Sequence, residues 1–166
     1  MDIQSLNTLP IDQANHLFLQ CCTSEKWIEK MVASRPFTDA NRLRDTADSI
    51  WNHLNEKDYL QAFEGHPKIG DVDSLKAKYA NTKELASGEQ SGANSATDEI
   101  IAELANSNSA YEEKYGFIFI VCATGKSAKE MLALLQDRLN NDRSKELEIA
   151  SEEQRKIFHL RLEKLL

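Results

Sequence analysis

The sequence predicts an all-α, single-domain bundle of about seven or eight helices over residues 1–166. Apolar residues recur at helical spacing along most of the chain. Only FIFIVC, residues 117–122, has strand character, and one strand cannot make a sheet. The 166 residues, 41% apolar and 28% charged, suffice for one real core but fall short of a clear second one.

The elements follow in order. Ile11 to Cys22 comes after Pro10, a favourable first-turn residue, and carries Ala14, Leu17, Phe18 and Cys21 on one face. Trp27, Ile28, Met31 and Val32 continue the pattern until Arg35 and Pro36 stop it. Thr38 can cap a helix whose apolar side is Leu43, Ala47, Ile50, Trp51 and Leu54. A shorter helix bearing Tyr59, Leu60 and Phe63 runs into the break GHP. Residues 81–96, rich in Ser, Asn, Gly and Ala, read as a loop or linker with at most a short helix. Thr97 opens a long helix through Ile100, Ile101, Leu104 and Tyr111. FIFIVC then reads as a buried connector. Ser127 with Glu130 has the form of a capping box and starts a helix through Met131, Leu134, Leu135 and Leu139. The last helix runs from about Ser144 to the end.

Composition narrows the function classes. The net charge is −7, from 20 basic and 27 acidic residues, interleaved without a basic stripe, so neither nucleic acid nor an anionic membrane is an expected partner. The three cysteines, Cys21, Cys22 and Cys122, include no CxxC pair and leave one over. They read as reduced, buried small hydrophobes, not as a disulfide scaffold or zinc site. No two His or Cys have metal-ligand spacing, so no metal is expected. The first residues lack a basic region followed by an apolar run, no stretch approaches membrane-spanning length, and the end is not a Ser-Lys-Leu address. A cytoplasmic location is expected by default.

Four stretches could carry chemistry. In FEGHPKIGD, residues 63–71, His66 stands between Gly65 and Pro67. The proline biases His66 toward an extended backbone, and Gly65 permits a sharp turn. A titratable ring on a stiff corner suits acid–base work near neutral pH, although an ordinary turn would look the same. ATGKS at 123–127 resembles the end of a phosphate-binding loop, but the earlier glycine that loop needs is Ile120, which argues against nucleotide binding. In the final helix Leu147, Ala150, Ile157, Phe158, Leu162 and Leu165 share one apolar arc, and Arg161 falls inside it. A guanidinium aimed at a core needs a carboxylate, a set of carbonyls or an anionic ligand, unless its stem snorkels to water. His159 lies off the arc and reads as surface, like His16 and His53. Finally, SGEQ at 87–90 fits a capping box through Ser87 and Gln90. Alternatively, Glu89 and Gln90 together could bind the coplanar donors and acceptors of a urea or cyclic imide.

FEGHPKIGD, SGEQSGA, YEEKYGFIFIVCATGKSAKEML and the terminal KIFHLRLEKLL, in this order and at these intervals, resemble the 2-oxo-4-hydroxy-4-carboxy-5-ureidoimidazoline (OHCU) decarboxylases over essentially the whole chain. The resemblance implies an all-helical, homodimeric enzyme without a cofactor. Its reaction is the last step from urate to (S)-allantoin, with release of carbon dioxide. It implies that His66 is catalytic, with Pro67 holding it and bordering the substrate, and that Glu89 and Gln90 bind the ureido and ring groups. It further implies that Arg161 faces the site from the last helix, and that the backbone of 121–125, from Val121 to Gly125, contacts the ligand. The chain departs from the family at Ala86, where relatives often carry a serine; Ser87 stands one position along.

Those residue types suit the reaction. OHCU bears a carboxylate on a carbon next to a ring C=N, so the substrate is its own electron sink and neither pyridoxal nor thiamine is required. The protein must place the substrate, stabilise charge and deliver a proton to one face. Under this expectation His66, Glu89 and Arg161 are the catalytic set. Two rival readings are a lyase or hydrolase of a related ureide or hydantoin, and a non-catalytic helical interaction module.

Overall fold

The computed structural model describes residues 1–67, 72, 73, 75 and 92–166, with the backbone alone over 92–97. Among the described residues there are eight helices and no strand: α1 (Ile3–Thr8), α2 (Ile11–Cys21), α3 (Glu25–Ala33), α4 (Ala40–Asn52), α5 (Glu56–Glu64), α6 (Gly92–Tyr115), α7 (Ala128–Arg138) and α8 (Arg143–Leu165). The all-α expectation holds. The chain divides into two compact units, Met1–His66 with Ala150–Leu166, and Pro67–Ile149.

Short polar side chains set the helix starts by accepting from backbone N–H groups that have no partner within the helix. Asp2 accepts from Ser5, Ser24 from Trp27, and Asn55 from Asp58 in a reciprocal capping box. The cap of α4 is Asp39 and not the expected Thr38: the Asp39 carboxylate accepts from Arg42 N at 2.7 Å, and Thr38 stands one residue too early. Helix α1 was not foreseen; one turn and a half offers too little periodicity to detect.

In the first unit the predicted apolar faces form the core. Ala14, Phe18 and Cys21 of α2, Trp27, Ile28 and Met31 of α3, and Leu43, Ala47 and Trp51 of α4 are all buried. Trp27 is central. Its ring lies 5.9 Å edge-on to Phe18 and 5.0 Å from Phe158 of α8, and its indole N–H donates to the Ala47 carbonyl at 3.2 Å. Burying such a ring is favourable only because that N–H finds an acceptor. The Trp51 indole N–H likewise donates to the Ser151 carbonyl at 3.1 Å.

In the second unit α6 packs against α7. Helix α6 begins at Gly92, five residues before the predicted Thr97. On α7 the buried residues are Ala128, Met131, Leu132, Leu135 and Arg138, whereas Leu134, expected on the apolar face, is exposed. The segment from Phe117 to Ile120 is not a strand but a buried connector, as expected, with Phe117, Phe119 and Ile120 all inside. Arg138 holds it: Nη1 donates to the Ile120 carbonyl at 2.6 Å, the guanidinium lies 4.5 Å from the Phe119 ring centre, and Nε pairs with the fully buried Glu146. The connector ends in a tight turn closed by Lys126 N–H to the Ala123 carbonyl. Gly125 supplies the positive φ of 75° that this turn requires.

Candidate active site

Helix α5 stops at Glu64, and the corner that follows differs from the expected one. Gly65 has φ −71° and ψ −12°, a right-handed conformation open to any residue, so its freedom to turn is not what the corner uses. It uses the missing side chain, because Thr23 packs directly against Gly65. The Thr23 hydroxyl donates to the carbonyls of Gln61 and Ala62 at 3.1 and 3.2 Å, satisfying acceptors in the last turn of α5. His66 N–H donates to the Phe63 carbonyl at 3.1 Å, and the exposed Pro67 prevents the helix from resuming.

The imidazole of His66 is half-buried, and its Nε2 is hydrogen-bonded to Oε1 of Gln154 on α8. An amide oxygen only accepts, so Nε2 carries the proton and the neutral ring keeps its lone pair on Nδ1. Burial lowers the His66 pKa from 6.5; the Gln154 bond opposes this, and the Arg161 charge adds to the lowering. His66 is therefore a neutral base at physiological pH.

Arg161, two helical turns beyond Gln154 and on the same face of α8, is half-buried. Of the partners open to an inward guanidinium, it has carbonyls: Nη1 donates to Gln20 and Cys21 at 3.4 and 3.3 Å. These lie in the last turn of α2, where a cation also meets the negative end of the helix dipole. Nε and Nη2 have no protein acceptor among the described residues, so the guanidinium retains donors for an anion. Cys21 and Cys22 beside it are buried and free. Burial pushes their thiols up to about 11 and about 12, which removes them as nucleophiles.

The first unit thus brings His66 and Arg161 together with Gln154, which the sequence reading had not singled out. A signal for Gln154 existed, since it stands four residues from both Ala150 and Phe158 and therefore on the same apolar arc. At 1% exposure, a buried amide there required a polar partner. His159, expected at the surface, is half-buried and hydrogen-bonded to Asp48 at 2.6 Å. Ser87, Glu89 and Gln90, with Ala86, lie outside the described residues. Val121 is half-buried and Gly125 exposed within the second unit. Among the described residues no group of three or more His, Cys, Asp or Glu could hold a metal ion.

A neutral imidazole with one free lone pair, near a guanidinium with free donors, can move a proton beside a bound carboxylate. Comparison with known proteins gives a family. Residues 7–163 match the family model described as OHCU decarboxylase. The chain is 37% identical over 145 residues, 87% of its length, to the "Uric acid degradation bifunctional protein TTL" of Arabidopsis thaliana, and spans 45% of that protein. It is 25% identical to the 2-oxo-4-hydroxy-4-carboxy-5-ureidoimidazoline decarboxylase of Haloferax volcanii, covering 98% of this chain and 94% of that one. A crystal structure of OHCU decarboxylase in the presence of (S)-allantoin is 38% identical, covers 89% of this chain and 95% of its own, and superposes with a TM-score of 0.69. With a family model spanning nearly its whole length, this chain belongs to the OHCU decarboxylase family.

Proposed function

We propose that the chain is a carboxy-lyase that converts OHCU to (S)-allantoin and CO2 in urate breakdown. The observation that carries the reading is the neutral His66 set near the Arg161 guanidinium within one compact unit, in a member of this family.

The reaction breaks the C–C bond to the carboxylate, and the bonding pair enters the adjacent ring C=N as CO2 leaves. The ring nitrogen and then the ring carbon take up protons, while the hydroxyl loses one in becoming the carbonyl, so one proton is consumed overall. Because the substrate accepts its own electrons, the chemistry calls for no cofactor. His66 would accept the proton that the hydroxyl gives up, at the nitrogen that Gln154 leaves unprotonated. Arg161 would bind the departing carboxylate or a ring carbonyl through Nε and Nη2.

The resemblance assigns further substrate contacts to Pro67, Glu89, Gln90, Val121 and Gly125, and the proposal carries them over, with Ser87 standing in for the serine that relatives often carry at the place of Ala86. A homodimer and a cytoplasmic location belong to the same proposal. No described helix is long and apolar enough to cross a membrane.

The test is stereospecific. OHCU generated freshly from urate decays on its own to racemic allantoin, whereas the enzyme should yield one enantiomer, followed by circular dichroism. His66→Asn should keep the fold and form allantoin only at the slow uncatalysed rate, as a racemate without circular dichroism. A well-folded His66→Asn protein that still makes optically pure allantoin at the wild-type rate would overturn the role of His66. Racemic product at the uncatalysed rate from the wild-type chain would instead point to a binding module.

A further inference from the structure

We propose that Gln154 is a positioning residue that decides which nitrogen of His66 exchanges protons with substrate: by accepting from Nε2 it assigns the ring proton there and leaves Nδ1 as the base. The inference rests on the proposed function for its link to catalysis, but its geometry stands by itself. Gln154 is 1% exposed and its Oε1 is on the imidazole. A buried amide without a partner is costly, so the bond restrains both side chains. It joins a corner that Pro67 stiffens to a helix whose neighbouring turns carry the buried Phe158 and Leu162.

The choice of an amide has a chemical consequence. A carboxylate at 154 would also accept from Nε2, but it would stabilise the imidazolium and raise the pKa of the ring. The neutral amide orients the ring without charging it. Among the described residues, the other charge acting on His66 is the Arg161 guanidinium, which disfavours the imidazolium. The nearby thiols of Cys21 and Cys22 stay protonated. Gln154 thus fixes which nitrogen holds the proton, and burial and Arg161 outweigh the modest pull of its bond toward the imidazolium, leaving a neutral ring with a single defined lone pair.

The test is nitrogen NMR on the full chain with ¹⁵N-labelled histidine, the His66 signals being assigned by their loss in His66→Asn. Wild-type His66 should show the Nε2–H tautomer. Gln154→Glu should move its titration to higher pH and shift the acidic limb of kcat/KM for OHCU by the same amount. Gln154→Met, which keeps the volume and removes the acceptor, should lower kcat about tenfold or more with little change in KM. An Nδ1–H tautomer in the wild type would overturn the proposal. So would a His66 titration unmoved in a folded Gln154→Glu protein. If the NMR results hold but the chain does not turn over OHCU, the function reading fails while the assignment of the nitrogens stands.

Discussion

Thr23 occupies the space that a side chain on Gly65 would need: a Cβ at position 65 would lie 2.1 Å from its Oγ1, 2.4 Å from its Cγ2 and 2.7 Å from its Cβ. Three atoms of a β-branched side chain cannot all retreat together, and the hydroxyl is committed to two carbonyls of α5. Gly65→Ala should therefore destabilise by about 1–3 kcal/mol, read as a lower Tm. Because the push is applied next to His66, kcat should fall as well. An unchanged melting curve would show that Thr23 moves freely.

The lowered pKa of His66 has a definite sign. Its neutral form is the folded-state form, so the unfolded chain binds more protons as the pH falls, and the resulting stability is present above 6.5 and lost below it. The acidic limb of kcat/KM should likewise lie below 6.5, because the base works unprotonated. Melting curves from pH about 7 to about 5 should fall less steeply for His66→Asn than for the wild type. An acidic limb well above the usual histidine range would contradict a neutral ring.

Nη1 of Arg161 binds the α2 carbonyls, and under the proposed function its other nitrogens hold substrate. Arg161→Ala should cost about 1–2 kcal/mol from the lost helix-end bonds and raise KM by a larger factor than stability alone explains. Arg161→Lys keeps the charge but not the fork, so it should recover most of the Tm and less of the affinity. A Tm loss with unchanged KM in Arg161→Ala would leave only the structural role.

The pair of Arg138 and Glu146 is buried at 6% and 0% exposure. Arg138→Ala would strand the Glu146 carboxylate and release the Ile120 carbonyl, for a loss of about 3–5 kcal/mol. Replacing both charges, with Arg138→Met and Glu146→Leu, should lose much less, because no buried charge remains alone. Denaturant unfolding of the two single variants and the double variant gives the coupling; additive losses would reject it.

The helices were legible because the spacing of Ala14, Phe18 and Cys21, or of Ala150, Phe158 and Leu162, is a property of local backbone geometry. The same spacing placed Arg161 on an inward face, whereas FIFIVC read as a connector because a single strand cannot make a sheet. Helix boundaries were less legible. Helix α6 extends back to Gly92 through a weakly helical stretch because lengthening an existing helix adds a hydrogen bond per residue without a new nucleus. The identity of the His66 corner was visible in GHP, but the reason for its glycine was not, since Thr23 lies far from it in sequence.

Sequence alone determined the all-α class, the buried faces and the placing of His66 on a corner and Arg161 on an inward arc, two of the groups proposed to carry the chemistry. Tertiary structure alone decided what those groups meet. Gln154 reaches His66 across 88 positions, and Arg161 reaches Cys21 across 140. Periodicity tells which side of a helix turns inward, but the partner of a buried polar atom depends on which distant donor or acceptor packing brings within about 3 Å of it.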